Sequence, residues 1–284
     1  MVEPTVIRGR PFEWGTRTYL MGILNVTPDS FSDGGSFDTP DAALLRAGDM
    51  VGAGADLIDV GGQSTRPGAA VVSLETELDR VIPVVERLRK QAGPVGDAVI
   101  SVDTTRAAVA KAAVEAGADL INDISGGTYD PEMLPTAVAL GVPIALMHIR
   151  GTPQTMQTLT DYRDLMGEIR EFLADRTQAA IAAGIDRAHI ILDPGIGFAK
   201  NSDQNLEILR ELPRVRSLGF PLLVGPSRKS FIGNILDRPD PKRRVWGTAA
   251  ACVAAIVGGA DILRIHDVAE LCDVARVADA IYRK

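Results

Sequence analysis

The sequence predicts one α/β domain spanning residues 1–284, a (β/α)8 barrel of the TIM class with an N-terminal β-hairpin over the barrel floor. Three observations predict it. A helix–glycine–strand unit recurs along the chain. Eight short apolar segments alternate with helical patterns over about 260 residues, the usual span of such a barrel. Each apolar segment also ends in polar residues. The recurring unit is explicit: Gly54-Ala55-Asp56 leads into Leu-Ile-Asp-Val, Gly117-Ala118-Asp119 into Leu-Ile-Asn-Asp, and Gly259-Ala260-Asp261 into Ile-Leu-Arg-Ile. Each Gly closes an Ala-rich helical stretch, where a residue with positive φ is wanted.

The elements follow in order. Thr5–Thr18 is expected to form the hairpin. The expected strands are Tyr19–Asn25, Asp56–Gly61, Val99–Asp103, Asp119–Asp123, Pro143–His148, His189–Asp193, Pro221–Gly225 and Asp261–His266. Thr39-Pro40 and Ser73 read as helix starts. The most regular helix is expected over Asp161–Ala183, where Leu165, Ile169, Phe172, Leu173 and Ala180 keep helical spacing and Gly184 supplies the stop. Strands alternating with helices imply right-handed crossovers and a parallel sheet. Eight units favour closure into a barrel over an open doubly wound sheet. No Pro/Ser-rich linker or shift of composition divides the chain.

Composition narrows the function. Hydrophobic residues make up 46% of the 284 positions and aromatics only 5%, so aliphatic side chains fill one large core. The net charge of −7 disfavours nucleic acid and anionic membranes as partners. Cys252 and Cys272 match no metal spacing and read as core thiols. Glu3, Arg8, Arg10, Glu13 and Arg17 leave no apolar signal core near the start, and Thr248–Ala260 is too short to span a bilayer. A cytoplasmic enzyme is expected. His148, His189 and His266 do not form a zinc pattern, and no Gly-x-Ser-x-Gly elbow points to acyl chemistry.

The strand ends carry the chemistry. Asn25, Asp59, Asp103, Asn122 with Asp123, His148, Asp193, the Ser227-Arg228-Lys229 turn, and Arg264 with His266 all fall where a strand finishes. Ring closure would gather them at one mouth. Two Gly- and hydroxyl-rich loops, Asn25–Gly35 and Gly61–Gly68, read as lids or anion clamps. A third, Asp193–Lys200, contains glycines that allow close backbone approach. Arg264 and His266 share a strand face, which leaves two readings, an Arg paired to a nearby Asp or an anion site; the anion site is preferred. On chemical grounds Lys229 could also serve a phosphate.

Taken in register, these motifs are similar to those of the dihydropteroate synthase family. They are Asn25-Val-Thr-Pro-Asp-Ser-Phe-Ser-Asp-Gly, Gly-Gly-Gln-Ser-Thr-Arg-Pro-Gly, Ser101-Val-Asp-Thr104, Asn122-Asp123, Leu146-Met-His148, Asp193-Pro-Gly-Ile-Gly-Phe198, Ser227-Arg-Lys-Ser230 and Arg264-Ile-His-Asp267. The resemblance implies condensation of p-aminobenzoate with 6-hydroxymethyl-7,8-dihydropterin pyrophosphate, assisted by Mg²⁺, in a homodimer open to sulfonamides. It implies that Asp193, Asn122, Asp103, Lys229 and Met147 bind the pterin, which replaces the phosphate role for Lys229. It assigns the pyrophosphate to Arg264, His266, Asn25, Thr65 and Arg66, with Asn25 also reaching Mg²⁺. Phe198, Ser230, Phe31 and Pro67 would line the p-aminobenzoate side. The catalytic set is then Asn25, Thr65, Arg66, Lys229, Arg264 and His266.

One departure stands out: Gln63 occupies a position where the family usually has Glu, which puts ion pairing within that loop in doubt. The length leaves no room for a fused pyrophosphokinase or aldolase, so a monofunctional enzyme is expected. The rivals are a pterin-dependent methyltransferase, which would lack the first two loops, and a non-catalytic pterin binder, against which the intact polar set argues.

Overall fold

The structure, a computed structural model, describes residues 2–27, 39–66 and 68–283. Strands β1 (Thr5–Ile7) and β2 (Arg10–Phe12) pair antiparallel. The eight strands β3 (Tyr19–Asn25), β4 (Leu57–Gly61), β5 (Val99–Asp103), β6 (Leu120–Asp123), β7 (Ile144–Met147), β8 (Ile190–Asp193), β9 (Leu223–Val224) and β10 (Ile262–Ile265) form one parallel sheet. Its order is β8-β7-β6-β5-β4-β3-β10-β9. The ends meet where the Leu192 N–H donates to the Pro221 carbonyl at 2.9 Å and Leu192 bridges Leu222, which closes the barrel. The helices are α1 (Thr39–Gly52), α2 (Leu74–Arg89), α3 (Pro94–Asp97), α4 (Ala107–Ala116), α5 (Met133–Leu140), α6 (Leu165–Ala183), α7 (Ser202–Arg210), α8 (Leu212–Arg216), α9 (Ser230–Leu236), α10 (Val245–Val257) and α11 (Val268–Tyr282).

All eight expected strands form, with trimmed ends. β9 is shorter than expected because Pro221 has no N–H for the ladder and the Leu222 N–H is taken by the Asp261 carboxylate at 2.9 Å. His189 lies in a 3-10 turn, Arg187–His189, rather than opening β8. The repeat glycines Gly54, Gly117 and Gly259 have φ of 103°, 118° and 94°, as the helix–strand corner requires. Ser73 caps α2, its Oγ accepting from the Thr76 N–H at 3.1 Å. The long helix starts at Leu165 instead of Asp161. Asp164 caps it, and the Tyr162 hydroxyl donates to the Ala199 carbonyl at 3.0 Å, so the preceding residues turn toward the barrel mouth.

Side chains alternate along each strand between the helix layer and the barrel interior. Facing the helices are Leu20, Ile58, Ile100, Ile121, Ile144, Ile190, Val224 and Leu263, all inside the main core. Facing inward is one apolar side chain from each strand: Met21, Leu57, Val99, Leu120, Ala145, Ile191, Leu223 and Ile262. Ile7, Phe12 and Trp14 of the N-terminal hairpin pack onto this tier, so the hairpin covers the floor as expected. The Trp14 indole N–H donates to Thr5 Oγ1 at 2.9 Å, and Thr5 donates to the Ala188 carbonyl at 2.6 Å. Cys252 is buried, whereas Cys272 is only half-buried, its Sγ filling the space a side chain at Gly54 would need. Among the described residues, no helix is long and apolar enough to cross a membrane.

Candidate active site at the barrel mouth

Two positions beyond the apolar tier the interior becomes polar. Met21, Leu57, Val99, Leu120, Ala145, Ile191, Leu223 and Ile262 give way to Ile23, Asp59, Ser101, Asn122, Met147, Asp193, Gly225 and Arg264. Arg264 organises this tier. Its Nε donates to Asp59 Oδ2 at 2.6 Å and its Nη2 to Asp103 Oδ2 at 2.7 Å. Asn122 Nδ2 donates to the same Asp59 oxygen at 3.1 Å. Asp59 is fully buried, and the two carboxylates hold the Arg264 pKa above its ordinary value despite burial. Of the two readings of Arg264, the paired Arg is therefore present. Burial pushes Asp103 up to about 7 against the pull of Arg264. Asp59 thus aims both Arg264 and Asn122, a role its place at a strand end did not disclose.

The loop after β8 supplies the next wall. Asp193 Oδ1 accepts from the Gly195 N–H at 2.7 Å, and burial raises the carboxyl to about 6. The loop is packed so closely that a Cβ on Gly195 would lie 2.0 Å from the His148 carbonyl oxygen, and Gly195 has φ of 73°. Only Gly fits there. Lys200, buried to 3% exposure, holds the loop from inside: its Nζ donates to the Gly195 and Phe198 carbonyls, each at 2.9 Å, and lies 2.9 Å from His148 Nδ1. Burial and the Lys200 charge drive His148 down to about 2, so its ring is neutral and Nδ1 accepts. Lys200 went unnoticed in the sequence because a lysine ending a glycine-rich loop usually points to solvent.

Phe198, Met147, Ile124, Ile149 and Met156 form a small apolar cluster on this side. Lys229 Nζ sits 4.1 Å from the centre of the Phe198 ring. Burial, with Arg264 close by, lowers Lys229 to about 8 while Asp193 and Asp103 pull the other way. Ile124, one residue past the Asn122-Asp123 pair, belongs to the same wall and had no polar signal to reveal it. Ser230 opens α9 and is exposed beside Lys229.

The turn before α9 is strained and strapped. Arg228 has φ of 58°, and its guanidinium chelates Asp267. The buried Arg244 donates to the carbonyls of Arg228 at 2.9 Å, Lys229 at 3.3 Å, Pro239 at 2.6 Å and Arg238 at 2.8 Å. Ser227 Oγ accepts from the His266 backbone N–H at 3.1 Å and lies 2.9 Å from His266 Nδ1. Burial, with Arg228 and Arg264 nearby, holds the His266 pKa well below the ordinary histidine value, so the ring is neutral.

Two strand-end residues do not join the mouth. Asp123 and His148 follow inward-facing neighbours and so point the other way. Asp123 accepts from the Ser125 N–H at 2.7 Å and the Gly127 N–H at 2.8 Å, which makes it a turn brace. The His148 ring packs against Phe172 with centroids 5.0 Å apart.

Asn25 ends β3 opposite Gly61. A Cβ on Gly61 would lie 3.6 Å from both Asn25 Oδ1 and Asp103 Oδ2, so these two side chains flank one glycine at the rim. The Gly61–Gly68 loop carries a half-buried Thr65 and an exposed Arg66. Thr65 and Gln63 line a cleft with Asp103, Thr104 and Arg106. The loop tip is tied down by the Gly68 N–H on the Pro153 carbonyl at 3.2 Å and by Gln154 Nε2 on the Ala69 carbonyl at 2.8 Å. Phe31, Pro67 and most of the first loop lie outside the described residues.

The model of a family described as pterin binding enzyme matches residues 21–266. A dihydropteroate synthase of Synechocystis is 59% identical over 272 residues, covering 96% of this chain and 93% of the relative. The structure of the Yersinia pestis dihydropteroate synthase in complex with a sulfonamide drug superposes with a TM-score of 0.91 at 45% identity over 98% of both chains. The Xanthomonas albilineans dihydropteroate synthase in complex with 7,8-dihydropteroate gives a TM-score of 0.87 at 41% identity, again over 98% of both chains.

Proposed function

Since the chain belongs to the dihydropteroate synthases, transferases of folate biosynthesis, we propose that the mouth described above binds a pterin pyrophosphate and joins it to p-aminobenzoate. The products are 7,8-dihydropteroate and pyrophosphate. The observation that carries this reading is the meeting of Asp103, Asn122, Asp193, Lys229 and Arg264 at a single rim.

Each role follows from the chemistry of the group. The Asp193 carboxylate accepts two N–H bonds from the guanidine-like edge of the pterin, the pairing a carboxylate suits best. Asn122 and Asp103 complete the pterin's hydrogen bonding, and Met147 packs on the ring. Lys229 donates to a pterin acceptor and, over Phe198, borders the p-aminobenzoate side with Ser230, Phe31 and Pro67. Arg264, His266, Asn25, Thr65 and Arg66 hold the pyrophosphate. His266 is neutral, so it meets the pyrophosphate without repelling Arg264.

The substitution is dissociative. The C–O bond to pyrophosphate breaks, the cation is delocalised into the pterin, and the arylamine lone pair forms the new C–N bond before its proton is lost to solvent. No strong base is needed, because an aniline nitrogen is a free nucleophile at neutral pH. The protein's main task is to hold departing negative charge with preorganised donors. Mg²⁺ fits this site as an ion that arrives with the substrate phosphates: Asn25 offers a hard oxygen at the rim, and the described residues contain no His/Cys/Asp/Glu group that would hold a metal alone. When bound it would neutralise charge on the pyrophosphate.

Further parts of the reading are a homodimer and sulfonamide competition at the p-aminobenzoate side, in the cytoplasm. Trp246, Val257, Val277 and Ile281 of α10 and α11 are exposed and offer the dimer an apolar face. Light scattering of the purified chain tests the dimer. The test of the reaction is colorimetric pyrophosphate release with and without p-aminobenzoate. Arg264→Ala and Asn25→Ala should each lower turnover at saturating substrate by about 10²-fold, the usual loss of one charge-stabilising group. Unchanged turnover in both would sink the proposal.

A further inference from the structure

The Gly61–Gly68 loop is fastened at both ends by charged side chains of the neighbouring helices. At its start, Arg80 Nη1 on α2 donates to the Gly62 carbonyl at 3.0 Å. Just past its end, Arg106 Nη2 donates to the Val72 carbonyl at 2.6 Å. Between the two anchors lies Glu77 of α2, buried to 2% exposure. Glu77 Oε2 accepts from Arg106 Nη1 at 2.8 Å, and Oε1 accepts from the Thr104 hydroxyl at 2.6 Å. A Cβ on Gly62 would meet Glu77 Cγ at 3.2 Å, so the start of the loop also rests on this residue. A carboxylate buried this deeply is costly unless it is paired. Here the pairing runs from the helix, through Arg106, to Val72 just past the loop, and directly to Thr104, the residue after Asp103.

We propose that Glu77 is a positioning residue that, through Arg106 and in parallel with Arg80, sets the second loop so that Thr65 and Arg66 close over the reacting centre. Gln63, next to Gly62, is uncharged, so the charged fastenings come from α2 and from Arg106, which directly precedes α4. The inference rests on the proposed reaction and assigns that site a support outside the family motif. The pterin ring would be held by Asp193 on β8, across the barrel from β4, and by Asn122 on β6, and neither hydrogen bond passes through Glu77.

The experiment compares Glu77→Gln and Arg80→Met with the unaltered full-length enzyme. The unaltered enzyme first shows p-aminobenzoate-dependent pyrophosphate release; its absence would defeat the proposed function and not this inference. Three quantities are read: KM for the pterin pyrophosphate, kcat, and affinity for the pterin alcohol, which lacks the pyrophosphate, by calorimetry. Both variants should raise KM for the pterin pyrophosphate, Glu77→Gln by about tenfold, the scale of loss expected from a small misplacement of a contact group. Affinity for the pterin alcohol should stay within about twofold, because the ring contacts are made elsewhere. A purely structural role would lower the melting temperature and leave KM of the folded enzyme alone. The proposal is overturned if KM is unchanged in both variants, or if affinity for the pterin alcohol falls as much as KM rises, which would route the effect through Asp103. Should Glu77→Gln not fold, Arg80→Met decides by the same criteria.

Discussion

The floor and the mouth of the barrel are two residues apart on every strand, yet they obey opposite rules. The floor tier is wholly apolar, from Met21 to Ile262, sealed by Ile7, Phe12 and Trp14. The next tier holds Asp59, Asn122, Asp193 and Arg264, all largely cut off from water. The floor gains free energy from burial. The mouth costs free energy, offset where a charge is paired, as Arg264 is with Asp59 and Asp103. One strand geometry supports both, so stability and function are stacked along the barrel axis instead of sharing residues.

The sharpest way to break this contrast is Asp193→Asn. Losing the carboxylate should lower kcat/KM by about 10³-fold, since a site built to pair a polar edge fails badly without its partner. Burial lifts the Asp193 pKa to about 6, so ionising it costs the fold stability, a loss complete above that pH. The amide should therefore leave stability at pH 8 equal or higher, by about 1 kcal/mol. A clear fall in melting temperature would contradict a mouth that costs stability. Leu57→Ala makes the converse cut at the floor, where the side chain is fully buried. It should destabilise by about 3 kcal/mol in urea unfolding. Steady-state constants measured well below the transition should be unchanged.

Acid titration sharpens the comparison further. Asp103 sits at about 7 and Asp193 at about 6, both raised by burial. As the pH falls through these values the carboxylates take up protons and lose their acceptor charge. Pterin affinity should drop, approaching about tenfold per pH unit where Asp103 alone titrates and about a hundredfold per unit below pH 6, where both do. The Asp193→Asn variant should show a flatter profile in the same titration calorimetry; an identical slope would remove Asp193 from pterin binding. The smallest effect is expected at the floor seal. Thr5→Val removes the acceptor of the Trp14 indole N–H. It should cost about 1 kcal/mol in thermal unfolding with no change in kcat/KM.

Much of this was readable from the chain. The short apolar runs and the recurring Gly-Ala-Asp corner placed all eight strands, and the polar residues following each one placed the mouth. The parts that were not readable share a cause. Whether a strand-end residue faces inward depends on its exact phase, and a one-residue error turns Asp123 and His148 from mouth residues into a turn brace and a packed ring. Asp59, Lys200, Arg244 and Glu77 act on partners as far as 205 positions away, and no local pattern encodes such a pairing.

The sequence by itself determined the period and number of the strands, the glycine corners and the polar character of the strand ends, because these depend on neighbours along the chain. The tertiary structure alone decided which carboxylates clasp Arg264, which carbonyls Lys200 and Arg244 strap, and which helix holds the second loop. Those outcomes depend on the depth to which ring closure buries each charge. A buried charge must take whichever partner the fold brings within reach.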